Sequence, residues 1–255
     1  MTSKPSLVIV HGSWHSPAHL QPLLTRLRAH GYVCVPVSLP STQAATETPR
    51  TLTDDTNAVR KAVETELDAG KDVVIIAHSY GGVPASNALA GLDTSSRGPN
   101  TTSVRALVFL CAALIPPKTS FITALGGSPW PIHDFRDSKE FCWVGPPGPG
   151  YYFYNDLPVA DAIKWEAELR SQSWKAYEEE TEEEMGYMKI ESWYLFCELD
   201  NAIPVAVQKG MVAGTTKAGG LFAEQRCSEI RSGHSPFLSR VEETAGFILE
   251  AAAHR

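Results

Sequence analysis

The chain has 255 residues, of which 43% are hydrophobic and 20% are charged, and this length and composition suit a single α/β domain. A formal net charge of −7, with no basic cluster, disfavours nucleic acid as a partner, because phosphate binding needs clustered Lys and Arg. The longest apolar stretches are far shorter than the roughly 20 residues of a membrane span, so we expect no membrane insertion.

The first part of the chain alternates short β-rich runs with longer helical patterns, which is typical of a parallel sheet with helices on its faces. In chain order, the sequence predicts a strand at 7–10, a helix at 18–30, a strand at 33–37, a helix from Thr53 to Gly70, a strand at 73–77, a helix at 83–92 and a strand at 104–110. Prolines at 36, 40 and 49 predict an irregular loop before the second helix.

The alternation stops at 116–188, a segment rich in Pro, Gly and aromatic residues. It is too long for a simple crossover, so we interpret it as a cap, or lid, over the carboxyl edge of the sheet, with a helix near 160–170 and a second one after it. A strand at 192–197, a helix from Val205, a strand at 221–226 and a helix after Pro236 complete the pattern. The predicted architecture is therefore a mostly parallel α/β core at 1–115 and 189–255 with an inserted cap.

Ser79 lies in Ala77-His78-Ser79-Tyr80-Gly81, between an apolar strand and a helix of small residues. A nucleophile elbow needs a sharp turn that lifts the serine off the end of a strand, with small residues two positions before and after it. Ala77 is small, although it departs from the glycine of the strict G-x-S-x-G pattern. This context predicts that Ser79 is a catalytic nucleophile.

A serine hydroxyl alone is a poor nucleophile and needs an aligned base. His234 stands in a loop between the last strand and the last helix, and in this type of fold that loop opens beside the elbow. His78 is adjacent to the serine on a tight turn, where neighbouring side chains diverge. Other histidines belong to the first-strand turn, to the cap, or to helices and tails that we expect to be solvated: His11; His133; His19, His30 and His254. We therefore predict His234 as the base.

The acid must hold the imidazole tautomer and stabilise the imidazolium. Asp200 follows the strand at 192–197, and the order serine, aspartate, histidine is the one that this fold requires. Glu198 is the rival, but it is still near the strand end. The segment after the preceding strand, 111–114, offers no carboxylate. Asp200 is therefore the predicted third member of a catalytic triad.

An oxyanion hole needs two backbone N–H groups directed at the developing negative charge. One is predicted from Tyr80, directly after the nucleophile, and the other from Ser13, just past the first strand. Candidate substrate-pocket residues lie beside that strand or among the cap aromatics: Gly12, Trp14, His15, Trp130 and Trp143.

With these residues in place, the chain resembles the α/β-hydrolase superfamily along nearly its whole length. It is more closely similar to the branch of plant methylesterases and hydroxynitrile lyases and their microbial relatives. The matching segments are 11–15, 77–82, 194–204 and 233–236. The resemblance implies a serine esterase (carboxylesterase) that hydrolyses a carboxylic ester or lactone through an acyl-enzyme on Ser79, without metal or cofactor. The cap aromatics favour a small-to-medium, largely apolar ester.

Two other functions stay open. The same triad can break a C–C bond, as in retro-aldol, hydroxynitrile or β-diketone cleavage. Hydroxynitrile lyases of this branch, however, carry threonine where Gly12 stands and lysine where Ser235 stands, so both departures favour an esterase. A cap-closing small-molecule receptor is the third hypothesis, with the acidic run at 178–184 as a partner surface, although such a run is more typical of a solvated helix face.

Localisation follows from the start of the chain and from its cysteines. The residues after Met1 lack the apolar stretch of a signal peptide, and the five cysteines show no C-x-x-C spacing. Three of them lie in apolar strand-like segments, where a reduced cysteine behaves as a small hydrophobe. We predict a cytoplasmic protein whose partner is its small-molecule substrate. The oligomeric state is open, with a homodimer among the options.

Overall fold

Two groups of strands organise the molecule. The computed structural model describes residues 4–43, 45 and 48–254. The prediction that the start of the chain lacks the apolar stretch of a signal peptide concerns in part residues 1–3, which lie outside the described residues. The strands within the described residues are β1 (Ser6–Val10), β2 (Cys34–Val37), β3 (Thr42–Gln43), β4 (Val73–His78), β5 (Val104–Leu110), β6 (His133–Asp134), β7 (Phe141–Val144), β8 (Ser171–Ser173), β9 (Ser192–Cys197) and β10 (Phe222–Ile230). Six of them form a parallel sheet in the order β10-β9-β5-β4-β1-β2. The carboxyl ends of its strands therefore open at one edge.

Helices cover both faces of this sheet. In the described part of the chain they are α1 (Gln21–Ala29), α2 (Leu52–Asp68), α3 (Gly82–Asn87), α4 (Thr94–Arg97), α5 (Phe121–Ala124), α6 (Pro149–Tyr152), α7 (Val159–Glu166), α8 (Lys175–Glu178), α9 (Val205–Lys217), α10 (Pro236–Ser239) and α11 (Val241–Ala253), with short 3-10 turns at Pro17–Leu20, Ser79–Gly81 and Gly186–Met188. Among them we find no helix with the length and apolarity needed to traverse a bilayer.

Strand β4 shows why the sheet is buried on both faces. Its residues alternate, so that Val73 and Ile75 pack with the apolar side of α2, whereas Val74 and Ile76 pack with α1 and α11. All of these side chains are buried. A continuous apolar run is the pattern of a parallel strand covered by helices, and the prediction of a mostly parallel α/β fold is confirmed.

The second helix begins two residues earlier than expected. Thr51, not Thr53, is its N-cap: the Thr51 hydroxyl accepts from the Asp54 amide at 3.3 Å, and the Asp54 carboxylate accepts from the Thr51 amide at 3.0 Å. Thr53 instead donates its hydroxyl and its amide to Glu179, at 2.6 and 2.8 Å. These two bonds connect α2 to the segment between β5 and β9.

Two other elements differ in length from the prediction. Helix α3 ends at Asn87 instead of continuing to 92, and the chain then turns through Gly91, which has a φ of 74°. Strand β10 extends to Ile230, four residues beyond the predicted end, with an irregular register between Phe222 and Cys227. Many residues of β10 are polar and exposed, and the sequence pattern therefore predicted a strand that was too short.

Three strands from the segment between β5 and β9 form a small second sheet together with β3, in the order β3-β8-β7-β6 with antiparallel pairs. Strand β3 comes from the proline-flanked loop that was predicted to be irregular, and this prediction was wrong at Thr42 and Gln43. Their backbone pairs with β8, and the Thr42 hydroxyl donates to Gln172 at 2.9 Å. The boundaries of a cap at 116–188 stay a prediction.

Candidate active site

The turn after β4 holds Ser79 in a left-handed backbone conformation, with a φ of 53°. Close backbone contacts enforce this turn. A Cβ on Gly81 would lie 2.4 Å from the carbonyl oxygen of His11, and one on Gly82 would lie 2.4 Å from that of Ala113. Glycine is therefore required at both positions, and Ser79 is placed at the carboxyl edge of the sheet, beside the loops that follow β1 and β5.

Asp200 and His234 meet at the same edge. The His234 Nδ1 lies 2.7 Å from the Asp200 Oδ2, and both side chains are almost fully buried. The other carboxylate oxygen accepts from the amides of Ala202 and Ile203, each at 2.8 Å, and Oδ2 also accepts from Gln208 at 3.1 Å. Because the Asp200 carboxylate accepts all of these hydrogen bonds, the His234 Nδ1 facing it carries the proton. The lone pair of the His234 ring is therefore on Nε2.

The backbone carbonyl oxygen of His234 accepts hydrogen bonds from two neutral side chains. His78 Nε2 donates to the His234 carbonyl at 2.8 Å, and the Cys111 thiol donates to the same oxygen at 3.3 Å. Burial lowers the pKa of His78 and raises the pKa of Cys111, each well away from its ordinary value. His78, Cys111 and His234 lie close enough to share a metal ion. The buried Cys111 thiol, however, stays protonated and donates to the His234 carbonyl, so the set does not fit one.

The two residues predicted to form the oxyanion hole both contact Tyr177. The Ser13 hydroxyl bonds the Tyr177 hydroxyl, and the rings of Tyr80 and Tyr177 are 5.2 Å apart. The Tyr80 hydroxyl donates to Asp55 at 2.9 Å, and Asp55 also accepts from the amide and hydroxyl of Ser41. Burial raises the pKa of Asp55 to about 6. This network fixes the side chains of both predicted donor residues.

A cavity of about 670 Å³ connects these groups, and Ser13, Ser79, Tyr80 and His234 all line it. Its wall consists mainly of apolar side chains from residues 113–133 and 202–215. Among the described residues that line it, none is an Asp, Glu, Lys or Arg. The arrangement can therefore enclose an uncharged, lipophilic molecule beside a serine and a histidine.

The predicted pocket residues are distributed unevenly around this cavity. Trp14 and Trp130 line it. Gly12 lies directly against the serine, since a Cβ there would be 2.6 Å from the Ser79 Cβ. Trp143 does not line the cavity, because its ring packs under the guanidinium of Arg136 at 4.5 Å.

His15 and His19 are structural histidines in a buried cluster. His15 does not line the cavity; its Nδ1 bonds the Ser13 carbonyl at 2.8 Å and its Nε2 bonds the Tyr154 hydroxyl at 3.2 Å. The prediction that His19 is solvated was wrong, because its ring is fully buried between His15 and Trp165. Both anchor the loop after β1 to the following segments.

Three supporting residues were missed in the sequence. Tyr177 contacts Ser13, Gln208 holds Asp200, and Asp55 holds Tyr80. Asp55 stood out only as an acidic residue in the first turn of a helix, a position that the helix dipole explains by itself. Tyr177 and Gln208 carry no pattern that distinguishes them from other helical residues.

Comparisons with known proteins agree with this architecture. A family model described as "Alpha/beta hydrolase family" matches residues 7–247. The protein named Alpha/beta hydrolase nvfD, from Aspergillus novofumigatus (strain IBT 16806), is 31% identical over 252 residues, covering 98% of this chain and 97% of that protein.

Two solved structures show the same fold. Polyneuridine aldehyde esterase superposes with a TM-score of 0.75 at 19% identity, covering 97% of this chain and 99% of that chain. The methylesterase protein MES16 from Arabidopsis superposes with a TM-score of 0.73 at 17% identity, covering 98% and 99%.

Proposed function

This chain belongs to the alpha/beta hydrolase family, and we propose that it hydrolyses an uncharged, largely apolar carboxylic ester or lactone through an acyl-enzyme on Ser79. The observation that carries the proposal is the 2.7 Å bond between His234 and Asp200. It leaves Nε2 as the free nitrogen of a histidine that shares one apolar cavity with Ser79.

The proposed reaction begins with proton transfer from the Ser79 hydroxyl to His234 Nε2 as the oxygen attacks the ester carbonyl. Asp200 stabilises the imidazolium that forms. The backbone N–H groups of Tyr80 and Ser13 bind the oxyanion of the tetrahedral intermediate, which is the charge that an oxyanion hole stabilises most. His234 then protonates the leaving alcohol. In the second half of the reaction, His234 accepts a proton from water as the water attacks the acyl-enzyme, and it returns this proton to Ser79 as the acid product leaves.

The cavity supports an apolar substrate. Its volume of about 670 Å³ lies within the range that encloses drug-sized ligands. No described residue of its lining is an Asp, Glu, Lys or Arg that could form an ion pair with a substrate carboxylate or ammonium group, and burial of an unpaired charge costs several kcal/mol. A neutral acyl or alcohol group is therefore preferred.

The alternative of hydroxynitrile cleavage gains no support from the site, whereas retro-aldol and β-diketone cleavage stay predictions. A side chain at position 12 would collide with Ser79, because even a Cβ there is 2.6 Å from the Ser79 Cβ and 3.0 Å from His78 Nδ1. The threonine of the hydroxynitrile lyases thus has no room in this geometry. Receptor function also stays a prediction.

The test compares phenyl heptanoate with the monophenyl ester of heptanedioic acid, which differs by a terminal carboxylate. We expect turnover of the neutral ester, a preference over the charged one of roughly 100-fold, and loss of turnover in Ser79→Ala. Ser86→Ala is the matched control, because Ser86 is buried in α3 and its hydroxyl has no partner within the described residues. Absence of turnover across a broad ester and lactone panel, or equal turnover by Ser79→Ala, would contradict the proposal.

A further inference from the structure

Apart from the proposed nucleophile and base, most polar side chains of the cavity already have protein partners. Thr123 pairs with Ser120 at 2.8 Å, and Thr119 donates to a backbone carbonyl at 3.1 Å. His133 and Thr215 also line the cavity and are exceptions to this pattern. Within the described residues, each has a side-chain polar atom with no hydrogen-bond partner. These two groups are the candidates for polar contact with a bound molecule.

The backbone fixes which nitrogen of His133 carries the proton. The Trp130 amide nitrogen lies 3.1 Å from His133 Nδ1, closer than the Trp130 carbonyl oxygen at 3.3 Å. A backbone N–H can only donate, so Nδ1 accepts and the proton of the neutral ring is on Nε2. Burial lowers the pKa of His133 to about 4, which keeps the ring neutral near pH 7. Nε2 is therefore a neutral hydrogen-bond donor.

Aromatic neighbours hold this donor in place. The His133 ring makes edge contacts with Trp174 at 5.3 Å and with Tyr177 at 5.6 Å, and it lies 5.7 Å from Trp14. Tyr177 in turn bonds Ser13, a predicted oxyanion donor. Tyr177 thus contacts both the imidazole and Ser13, and the orientation of the imidazole is set before the substrate binds.

We propose that His133 Nε2 donates a hydrogen bond to a neutral oxygen of the substrate that lies away from the reacting ester, such as a ketone, ether or hydroxyl oxygen. This inference rests on the proposed function and deepens it, because the substrate class becomes an oxygenated lipophilic ester. An apolar ligand without that oxygen would strip water from the imidazole N–H and leave the donor unpaired, which lowers affinity. A substrate with an anionic oxygen at this position would bind less tightly, since the cavity wall contains no Lys or Arg to balance its charge.

The experiment uses phenyl heptanoate and its 4-oxo, 5-oxo and 6-oxo analogues, in which a ketone replaces a methylene group. The readout is the ratio of kcat/KM for the best oxo ester to that for the plain ester. We expect a ratio of roughly 3 to 10 in the wild-type protein, the contribution of one hydrogen bond. His133→Phe keeps an aromatic ring without the donor and should reduce the ratio to about one.

Two further variants separate recognition from folding. His133→Gln places an amide N–H near the position of Nε2 and should retain part of the preference, whereas Thr215→Val should retain all of it. A preference that survives His133→Phe, or one that disappears in Thr215→Val, would overturn the assignment. So would a wild-type protein that favours none of the oxo esters.

Binding to the inactive Ser79→Ala protein distinguishes this proposal from the proposed function. Calorimetry with the same esters should show tighter binding of the best oxo ester to Ser79→Ala than to Ser79→Ala/His133→Phe, by the same roughly 3- to 10-fold. If no ester is turned over but this difference is present, the role of His133 stands and ester hydrolysis fails. If esters are turned over but the two proteins bind the best oxo ester equally well, ester hydrolysis stands and the proposed role of His133 fails.

Discussion

The sheet-edge residues Ser13, Ser79, Asp200 and His234 and the cavity wall at 113–133 and 202–215 are built in different ways. Each sheet-edge residue follows a strand of the parallel sheet, and backbone contacts such as those of Gly81 hold the turn that carries Ser79. The wall comes from short helices and loops, and its shape depends on which side chains meet. The difference teaches that the proposed chemistry depends on backbone position, whereas selectivity depends on side-chain packing.

The strongest test of this comparison removes the base. His234→Ala should reduce kcat for phenyl heptanoate by roughly 10⁴- to 10⁶-fold, as for triad members of serine hydrolases, because Ser79 would lose its proposed base. Steady-state kinetics measures the loss. His30→Ala is the matched control, since His30 is an exposed residue directly after α1. A loss of less than 10-fold in His234→Ala would show that the sheet-edge residues do not carry the reaction.

A second prediction concerns Asp55, which connects Tyr80 at the sheet edge to Ser41 and, through Ser41, to Gln172. Folding raises the pKa of Asp55 from 3.8 to about 6, so the folded protein binds this proton more tightly than the unfolded chain. The stabilisation is therefore fully present below about pH 4 and is lost as the pH rises through about 6.

Asp55→Asn cannot ionise and should lose this dependence. Between about pH 4 and pH 7, the free energy of unfolding of the wild-type protein should fall relative to that of Asp55→Asn by about 2.4 kcal/mol, roughly 60-fold in the unfolding constant. Urea unfolding at the two pH values measures it. Parallel pH profiles for the two proteins would show that Asp55 does not titrate in this range.

A third prediction moves Ser79, the proposed nucleophile, without removing it. Gly12→Ala should reduce kcat by roughly 100-fold, because the new Cβ would lie 2.6 Å from the Ser79 Cβ and must displace it, and small misplacements of reacting groups have effects of that size. Gly246→Ala is the control, because a Cβ at that position in α11 meets nothing within 4 Å. Equal kcat for the two variants would contradict the close contact between Gly12 and the serine.

The smallest effect is expected in the wall. Gly214 lines the cavity, and a Cβ there has open space, so Gly214→Leu should fill part of the acyl-binding volume. The ratio of kcat/KM for phenyl heptanoate to that for phenyl acetate should fall by roughly 10-fold, as for other changes of pocket volume. An unchanged ratio would mean that the long acyl group binds elsewhere.

The same difference explains what the sequence could predict. Strands β4, β5 and β9 have continuous apolar runs and were found almost to the residue, and Ser79, Asp200 and His234 follow from their positions after strand ends. Residues of the wall have no such marker. Trp143 and Trp130 are alike in the sequence, yet only Trp130 lines the cavity, because Arg136 covers the ring of Trp143.

Covalent labelling with a fluorophosphonate probe tests the central claim most directly, because the probe reacts only with a serine that an aligned base activates. Peptide mass spectrometry should locate a single adduct on Ser79 in the wild-type protein and in Ser86→Ala, and no adduct in Ser79→Ala or His234→Ala. Labelling of another residue, or no labelling of a folded wild-type protein, would contradict the account of Ser79 as an activated nucleophile.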